Sequence, residues 1–524
     1  MRTTKLGATF AALSIAAACF AGPAAAAPAL VAWTFDGMQR LGMTDAAGSG
    51  TVASISAARR EWEPFQIGIH ADSPLTNVRM TATALTGPGG ATIPAPILYR
   101  EHYVQVTHHS ADWGDVKPIT SVDWFPDALV PLIDPATGFP PAGGTIPATP
   151  FDLAAGTNQP MWADVFVPAA ALPGDYSGSW SVTSDQGSAS GTVSVHVWDF
   201  TLPLKPSLDS SFGVHDSDAA SGQLLLDYKL MPLEVPPKDE PGFVTDSGLR
   251  SGDVGVYSGA YYGDCHMGRP PALAEIQARV ALHDPRLELY NYSADEIGPC
   301  GHRINDEIRR WGRRMHAAGV DQLITMPPRP ALLDDGTGSG RSAVDIWVPI
   351  SEDLQNMMDN KLSLLAQVRA KGDEVWSYTA LTQDAFTPKW EIDFSPMNYR
   401  IMAGFLAQAS ALDGLLYWTV NYWTSDPWHD IQTYRAAFPG EGMLIYPGYE
   451  AGVTEPVPSM RLAWLREGVE DYEYVQILED RGLGAQALTT IAPAATDWRN
   501  WTQDPAVNEA ARESLATQIE ASNP

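Results

Sequence analysis

Two adjacent carboxylates, Asp295 and Glu296, stand where an apolar strand runs out, after Leu287-Glu288-Leu289-Tyr290-Asn291-Tyr292-Ser293-Ala294. Neighbouring carboxyl groups oppose each other's ionisation, so one keeps its proton to higher pH. A proton donor beside an anion is the division of labour that acid–base cleavage of an acetal requires. The other acids that follow strand candidates are Asp216, Asp264, Asp384 and Asp426. Acetal-cleaving enzymes of the ordinary kind space their carboxylates about 5 Å apart (retaining) or about 6.5–9.5 Å apart (inverting). Here Glu374-Val375-Trp376-Ser377-Tyr378-Thr379 has its acid at the wrong end of the strand, and Asp384 lies well into the loop. The adjacent pair therefore favours a reaction in which the substrate supplies the nucleophile, as a 2-acetamido group can. For a sugar without that group, Asp216, Asp384 or Asp426 becomes the candidate nucleophile.

Aromatic residues crowd the same strand ends. The candidate substrate-binding rings are Tyr292, Trp376, Tyr378, Trp418, Trp423 and Trp428, with Tyr422 beside them. Such rings stack on sugar faces and lend polar tips to hydrogen bonds. The 17 tryptophans of the 524 residues fit a neutral glycan partner. With 33 basic against 62 acidic residues and a net charge of −29, nucleic acid would be repelled. His-Glu-x-x-His, Gly-x-Ser-x-Gly and Gly-x-x-x-x-Gly-Lys are missing from the sequence, so zincin, serine-esterase and P-loop chemistry have no footing. No metal site and no cofactor is expected.

Residues 1–27 read as a signal peptide: a basic start at Arg2 and Lys5, an apolar run from Leu6 to about Phe20, and a small-residue end at Ala24-Ala25-Ala26-Ala27. The run is too short for a lasting membrane span. The expectation is a secreted or periplasmic protein. Cleavage removes Cys19 and leaves Cys265 and Cys300, which pair readily outside the cytoplasm. Both follow strand candidates, so they are predicted to form a disulfide that ties two loops beside the acid pair.

The elements that must position these groups fall into blocks. Residues 28–205 alternate apolar and polar positions with period two, as in Val193-Ser194-Val195-His196-Val197, which predicts a β-sandwich domain. Leu202-Pro203-Leu204-Lys205-Pro206 reads as a linker. Residues 206–480 then alternate apolar strands with amphipathic helices. The strands are Ser211–His215, Val254–Tyr257, Leu287–Tyr292, Leu323–Met326, Asp345–Val348, Val375–Tyr378 and Leu415–Trp418. One helix carries Ile304, Ile308, Trp311 and Met315, and another carries Leu354, Met357, Met358, Leu365 and Val368. Seven strands predict a (β/α)8 TIM-like barrel one strand short of the full count, with an open sheet as the alternative. Residues 481–524 form a helical tail.

At these residues the chain resembles glycoside hydrolase family 123. The similar stretches include Arg59-Arg60-Glu61-Trp62-Glu63-Pro64-Phe65-Gln66, Asp295-Glu296, Gly414-Leu415-Leu416-Tyr417-Trp418, Met443-Leu444-Ile445-Tyr446-Pro447-Gly448 and Arg461-Leu462-Ala463-Trp464-Leu465-Arg466-Glu467-Gly468-Val469-Glu470-Asp471-Tyr472. The resemblance implies a β-sandwich followed by a (β/α)8 barrel. It also implies a retaining β-N-acetylgalactosaminidase-like reaction with neighbouring-group participation. In it Asp295 would orient the acetamido group, and Glu296 would protonate the leaving oxygen. The charges of the 461–473 segment, at helical spacing, are expected to brace their own helix. The rivals are a glycosidase for a non-acetamido sugar and a carbohydrate-binding protein without catalysis.

Overall fold

The computed structural model describes Met1, residues 29–215 and residues 218–523; the rest of the expected signal peptide and Asp216 lie outside the described residues. Period-two alternation builds the N-terminal part. Val193, Val195 and Val197 are fully buried in the Gly187–Thr201 strand while Ser194 and His196 are not. That strand pairs with Gly174–Ser184 and, in parallel, with Val52–Arg59; Leu75–Ala82 and Phe151–Leu153 complete the path. A second, five-stranded sheet runs Leu30–Asp36, Trp62–Ala71, Asn158–Phe166, Ile97–Gln105, Trp124–Pro131, antiparallel throughout.

The Asn158–Phe166 strand is buried on both faces, because each face meets a different core. Met161, Ala163 and Val165 pack between the two sheets, while Trp162 joins the core of the C-terminal part. The five-stranded sheet is thus the middle layer of the molecule.

The C-terminal part holds a seven-stranded, all-parallel sheet. Its order is Asp209–Phe212, Gly414–Tyr417, Glu374–Tyr378, Ile346–Trp347, Asp321–Ile324, Glu288–Ala294, Ser251–Asp253. The two edge strands nearly meet. Met231 and Leu233 bond Phe212 on one side, and Leu233 accepts from the Asp253 amide on the other. The sheet is therefore a nearly closed barrel, and this short extended stretch, invisible to apolar periodicity, fills the gap between the counted strands. Tyr290, Leu323, Ile346, Trp376, Tyr378 and Leu416 fill the interior. Alternate residues such as Ile324, Val375 and Leu415 face the surrounding helices.

Two expectations need correction. The predicted Leu354–Val368 helix is two helices, Ser351–Asn360 and Leu362–Ala370, because Lys361 leaves helical geometry at φ −139°. The strand expected at Val254–Tyr257 ends earlier, at Ser251–Asp253. No described helix is long and apolar enough to cross a membrane.

The Met460–Asp480 helix, capped by the Ser459 hydroxyl on the Leu462 amide, is buried almost all round. Its charges mostly do not brace their own helix. Arg461 grips Asp127, Arg466 grips Asp164, and the Tyr474 hydroxyl donates to Glu61, the first two in the five-stranded sheet and the third in the turn before its Trp62–Ala71 strand. Asp471 takes Arg400 on the barrel side. After it, Gly484–Ile491 and Pro505–Ala521 are helices joined by a short strand pair, and Arg512 reaches back to Glu61.

Candidate active site

The acid pair sits at the carboxyl end of the Glu288–Ala294 strand, the end at which parallel barrels carry chemistry. The ladder to Asp321–Ile324 slips between Tyr292 and Ala294. A slip of this kind bends a strand and re-aims the side chains that follow. Glu296 then takes φ 49°, a left-handed conformation that costs a side-chain-bearing residue energy unless its surroundings hold it. The holding group is the Thr325 hydroxyl, which accepts from the Glu296 amide at 2.6 Å.

Thr325 lies one residue beyond the end of its strand and is buried. The same hydroxyl donates to Asp295 Oδ1 at 2.9 Å, and the Tyr292 hydroxyl donates to that oxygen at 2.7 Å. From the Glu374–Tyr378 strand, the Tyr378 hydroxyl donates to Glu296 Oε1 at 2.7 Å. Burial raises the Glu296 carboxyl above its ordinary range and the charge of Asp295 adds to this, while the Tyr378 hydrogen bond opposes it. Neither acid forms an ion pair with any described residue. A carboxyl raised in this way is suited to deliver a proton.

A guanidinium braces the backbone that follows the pair. Arg329 donates to the carbonyls of Gly298 and Gly301 and to Asn305, holding the turn that follows the pair. Cys265 and Cys300 are disulfide-bonded with Cα atoms 5.4 Å apart, joining the 254–268 loop to that turn. This loop also touches the pair directly, since the Asp295 amide donates to the Ala260 carbonyl at 3.0 Å. Tyr257, Tyr261 and Tyr262 on it are exposed.

The structure thus gathers Asp295, Glu296, Tyr292 and Tyr378. Trp418, at the end of the Gly414–Tyr417 strand that neighbours Glu374–Tyr378, is 37% exposed and lies tilted against Tyr422, ring centroids 5.0 Å apart. Trp423 is equally exposed, with its indole N–H bonded to the Ile445 carbonyl. Two candidate rings do not belong. Trp376 is fully buried inside the barrel, bonded to Glu374 at the far end of its strand. Trp428 is fully buried in the core of the N-terminal sheets, bonded to the Pro447 carbonyl. A tryptophan in sequence beside polar residues says nothing of which layer it enters.

The alternative nucleophiles fare differently from the pair. Burial pushes Asp384 up, but Lys389 and the hydroxyl and amide of Thr387 outweigh it and hold the carboxyl low, as a loop brace. Asp426 is exposed and bonded to His429. Sequence reading missed Thr325, Arg329 and the three loop tyrosines. Their available signals were a threonine directly after an apolar strand and a Tyr-Tyr pair beside a cysteine. A cavity of about 710 Å³ lies elsewhere, between the N-terminal sheets and the barrel, lined by Trp62, Tyr99, Tyr228 and Arg466.

Residues 338–478 match a family model described as "Glycoside hydrolase 123, catalytic domain". The fold superposes on a solved family 123 glycoside hydrolase from Clostridium perfringens, reported for glycolipid glycan hydrolysis. The identity is 14%, the TM-score 0.61, and the overlap covers 94% of this chain and 97% of that one. β-Glucuronidases from Parabacteroides merdae (8% identity, TM-score 0.29, 75% of this chain and 49% of that) and Bacteroides uniformis (9%, 0.29, 80% and 50%) are too distant to carry an argument. No curated protein matches the sequence. The family match defines the class: this is a glycoside hydrolase, and its substrate is a glycan. The matching model is that of family 123, the one the sequence resembles, and the matched span contains Tyr378, Trp418 and nearly all of the buried charged helix but begins after the acid pair.

Proposed function

We propose that the protein is an exported β-N-acetylhexosaminidase, with N-acetylgalactosamine as the first sugar to test, acting by retention through its substrate's 2-acetamido group. The observation that carries the reading is the pairing of Glu296, its carboxyl raised by burial, with an adjacent Asp295 carboxyl whose partners among the described residues are hydroxyl groups. In this reading Glu296 gives its proton to the glycosidic oxygen as that C–O bond breaks. The acetamido oxygen attacks the anomeric carbon from the opposite face and forms an oxazolinium ion. The Asp295 carboxylate accepts the acetamido N–H and offsets the developing positive charge. Glu296, now ionised, takes a proton from water as the water opens the ring, which restores both groups and the anomeric configuration.

Tyr378 occupies Oε1 of Glu296, leaving Oε2 to carry the transferred proton. The rim rings Trp418 and Trp423, with Tyr292, are read as the sugar-facing aromatics. Residues 28–205 are read as a β-sandwich, 206–480 as a (β/α)8 barrel and 481–524 as its helical tail. Export is supported by the basic, apolar and small-residue run of residues 1–27 and fits the paired cysteines.

The test is an aryl N-acetyl-β-galactosaminide assayed beside aryl glycosides without the acetamido group. Turnover confined to acetamido sugars, and about 10²–10⁴-fold loss of kcat in Glu296→Gln and Asp295→Asn, supports the mechanism. Equal turnover of sugars lacking the acetamido group would replace it with a separate carboxylate nucleophile.

A further inference from the structure

The barrel rim next to the acid pair hides a second carboxylate cluster that the mechanism leaves unused. Glu441 is 1% exposed. It accepts the Trp418 indole N–H on Oε1 at 2.6 Å and the Leu381 amide on Oε2 at 3.3 Å. Trp418 ends the Gly414–Tyr417 strand, and Leu381 lies three residues beyond Tyr378, the hydroxyl on Glu296. Gly442, at φ 70°, brings its backbone so close to the indole that an added Cβ would lie 2.3 Å from Trp418 Cζ2. The Tyr417 hydroxyl accepts the Gly442 amide. One side of the indole is thus fixed while 37% of the residue stays open.

We infer that Glu441 is a positioning residue: it locks the Trp418 ring as a rigid wall of the sugar site and ties that wall to the strand end that holds Glu296. The inference rests on the glycosidase reading for its consequence in catalysis, but the locking itself is a property of the unliganded protein. Among the described residues no cation pairs with Glu441. Arg461 acts on it only at a distance, and the charge of Glu441 bears in turn on Glu391, which is buried with both carboxyl oxygens unpartnered and is also acted on by Asp393 and Lys389. Burial raises both Glu441 and Glu391, Glu441 to about 7. A protonated carboxyl still offers an acceptor oxygen to an indole N–H. The role is therefore one of hydrogen bonding, and a neutral amide can fill it.

The experiment uses the whole protein labelled with ¹⁵N-tryptophan, with the Trp418 indole signal assigned by its loss in Trp418→Phe. Glu441→Leu is expected to speed exchange of that N–H by at least about tenfold, the loss of one strong hydrogen bond, and Glu441→Gln to preserve its protection. On the aryl N-acetylhexosaminide, Glu441→Leu should raise KM at least about fivefold with kcat nearly unchanged, Glu441→Gln should restore KM, and the Trp418→Phe/Glu441→Leu double variant should be no worse than the poorer single variant. Unchanged exchange in a folded Glu441→Leu, or additive losses in the double variant, overturns the inference. Should Glu441→Leu fail to fold, Trp418→Phe must reproduce the KM rise by itself, and an unaltered KM overturns it. Faster exchange in a protein that cleaves no glycoside supports the positioning role and removes the proposed function instead.

Discussion

At the end of the Glu288–Ala294 strand, two carboxylates are held by hydroxyl groups; along the Met460–Asp480 helix, they are held by or set among arginines. Both settings keep acids away from bulk water. A guanidinium forks onto a carboxylate with two parallel hydrogen bonds, so Arg461 fixes Asp127 and Arg466 fixes Asp164 in place. A hydroxyl can donate to a carboxylate or accept from a carboxylic acid, so Tyr378 orients Glu296 in either form while favouring the charged one. The partner type separates acids that hold the molecule together from acids able to pass a proton.

The comparison breaks most visibly at the helix. Removing one partner of a fully buried ion pair leaves a charge uncompensated, so Arg461→Leu should cost about 3–5 kcal/mol of unfolding free energy in a denaturant titration. Replacing both partners, Arg461→Met with Asp127→Leu, should recover much of that loss. If the double replacement is as damaging as the single, the guanidinium does more than balance Asp127.

At the rim the expected losses are in rate. Thr325→Val removes the acceptor for the Glu296 amide and a donor to Asp295, so kcat/KM should fall about ten- to a hundredfold, the equivalent of about 1–3 kcal/mol. A variant that keeps full activity would show that the left-handed turn at Glu296 holds without it.

The smallest and most diagnostic effect is on pH dependence. In the proposed mechanism Glu296 must be protonated to donate, so activity is expected to be lost as pH rises through its pKa. The Tyr378 hydroxyl stabilises the ionised form, hence Tyr378→Phe should raise that pKa and move the falling limb of kcat/KM to higher pH. The charge of Asp295 acts in the opposite sense, so Asp295→Asn should let the Glu296 carboxyl, followed by NMR, titrate at lower pH than in the parent protein. Shifts of the same sign in the two variants would contradict the electrostatics drawn for the pair.

Local rules made much of the fold legible in advance. Apolar strands alternating with amphipathic helices mark a parallel sheet because both its faces must be covered. An acid pair after such a strand therefore sits at the working end. What periodicity cannot register is a strand that hardly exists: Met231–Leu233 closes the gap through a few backbone bonds, with too few residues to show a pattern. The sequence of the Met460–Asp480 helix suggests i,i+4 bracing, because spacing along one chain is all that a sequence offers. The partners of Arg461 and Arg466 lie 334 and 302 residues away.

By itself the sequence determined the alternation of elements, the acid pair at a strand end and the cysteines available to join two loops, because these follow from residue type and short-range order. Only the tertiary structure decided which rings face the opening and which acids meet arginine or hydroxyl, because those outcomes depend on which layers stack. Trp376 and Trp418 both belong to strand candidates in the sequence, yet one fills the barrel interior and the other stands at its mouth. The direction of a side chain along its strand, set by register and closure, made that difference.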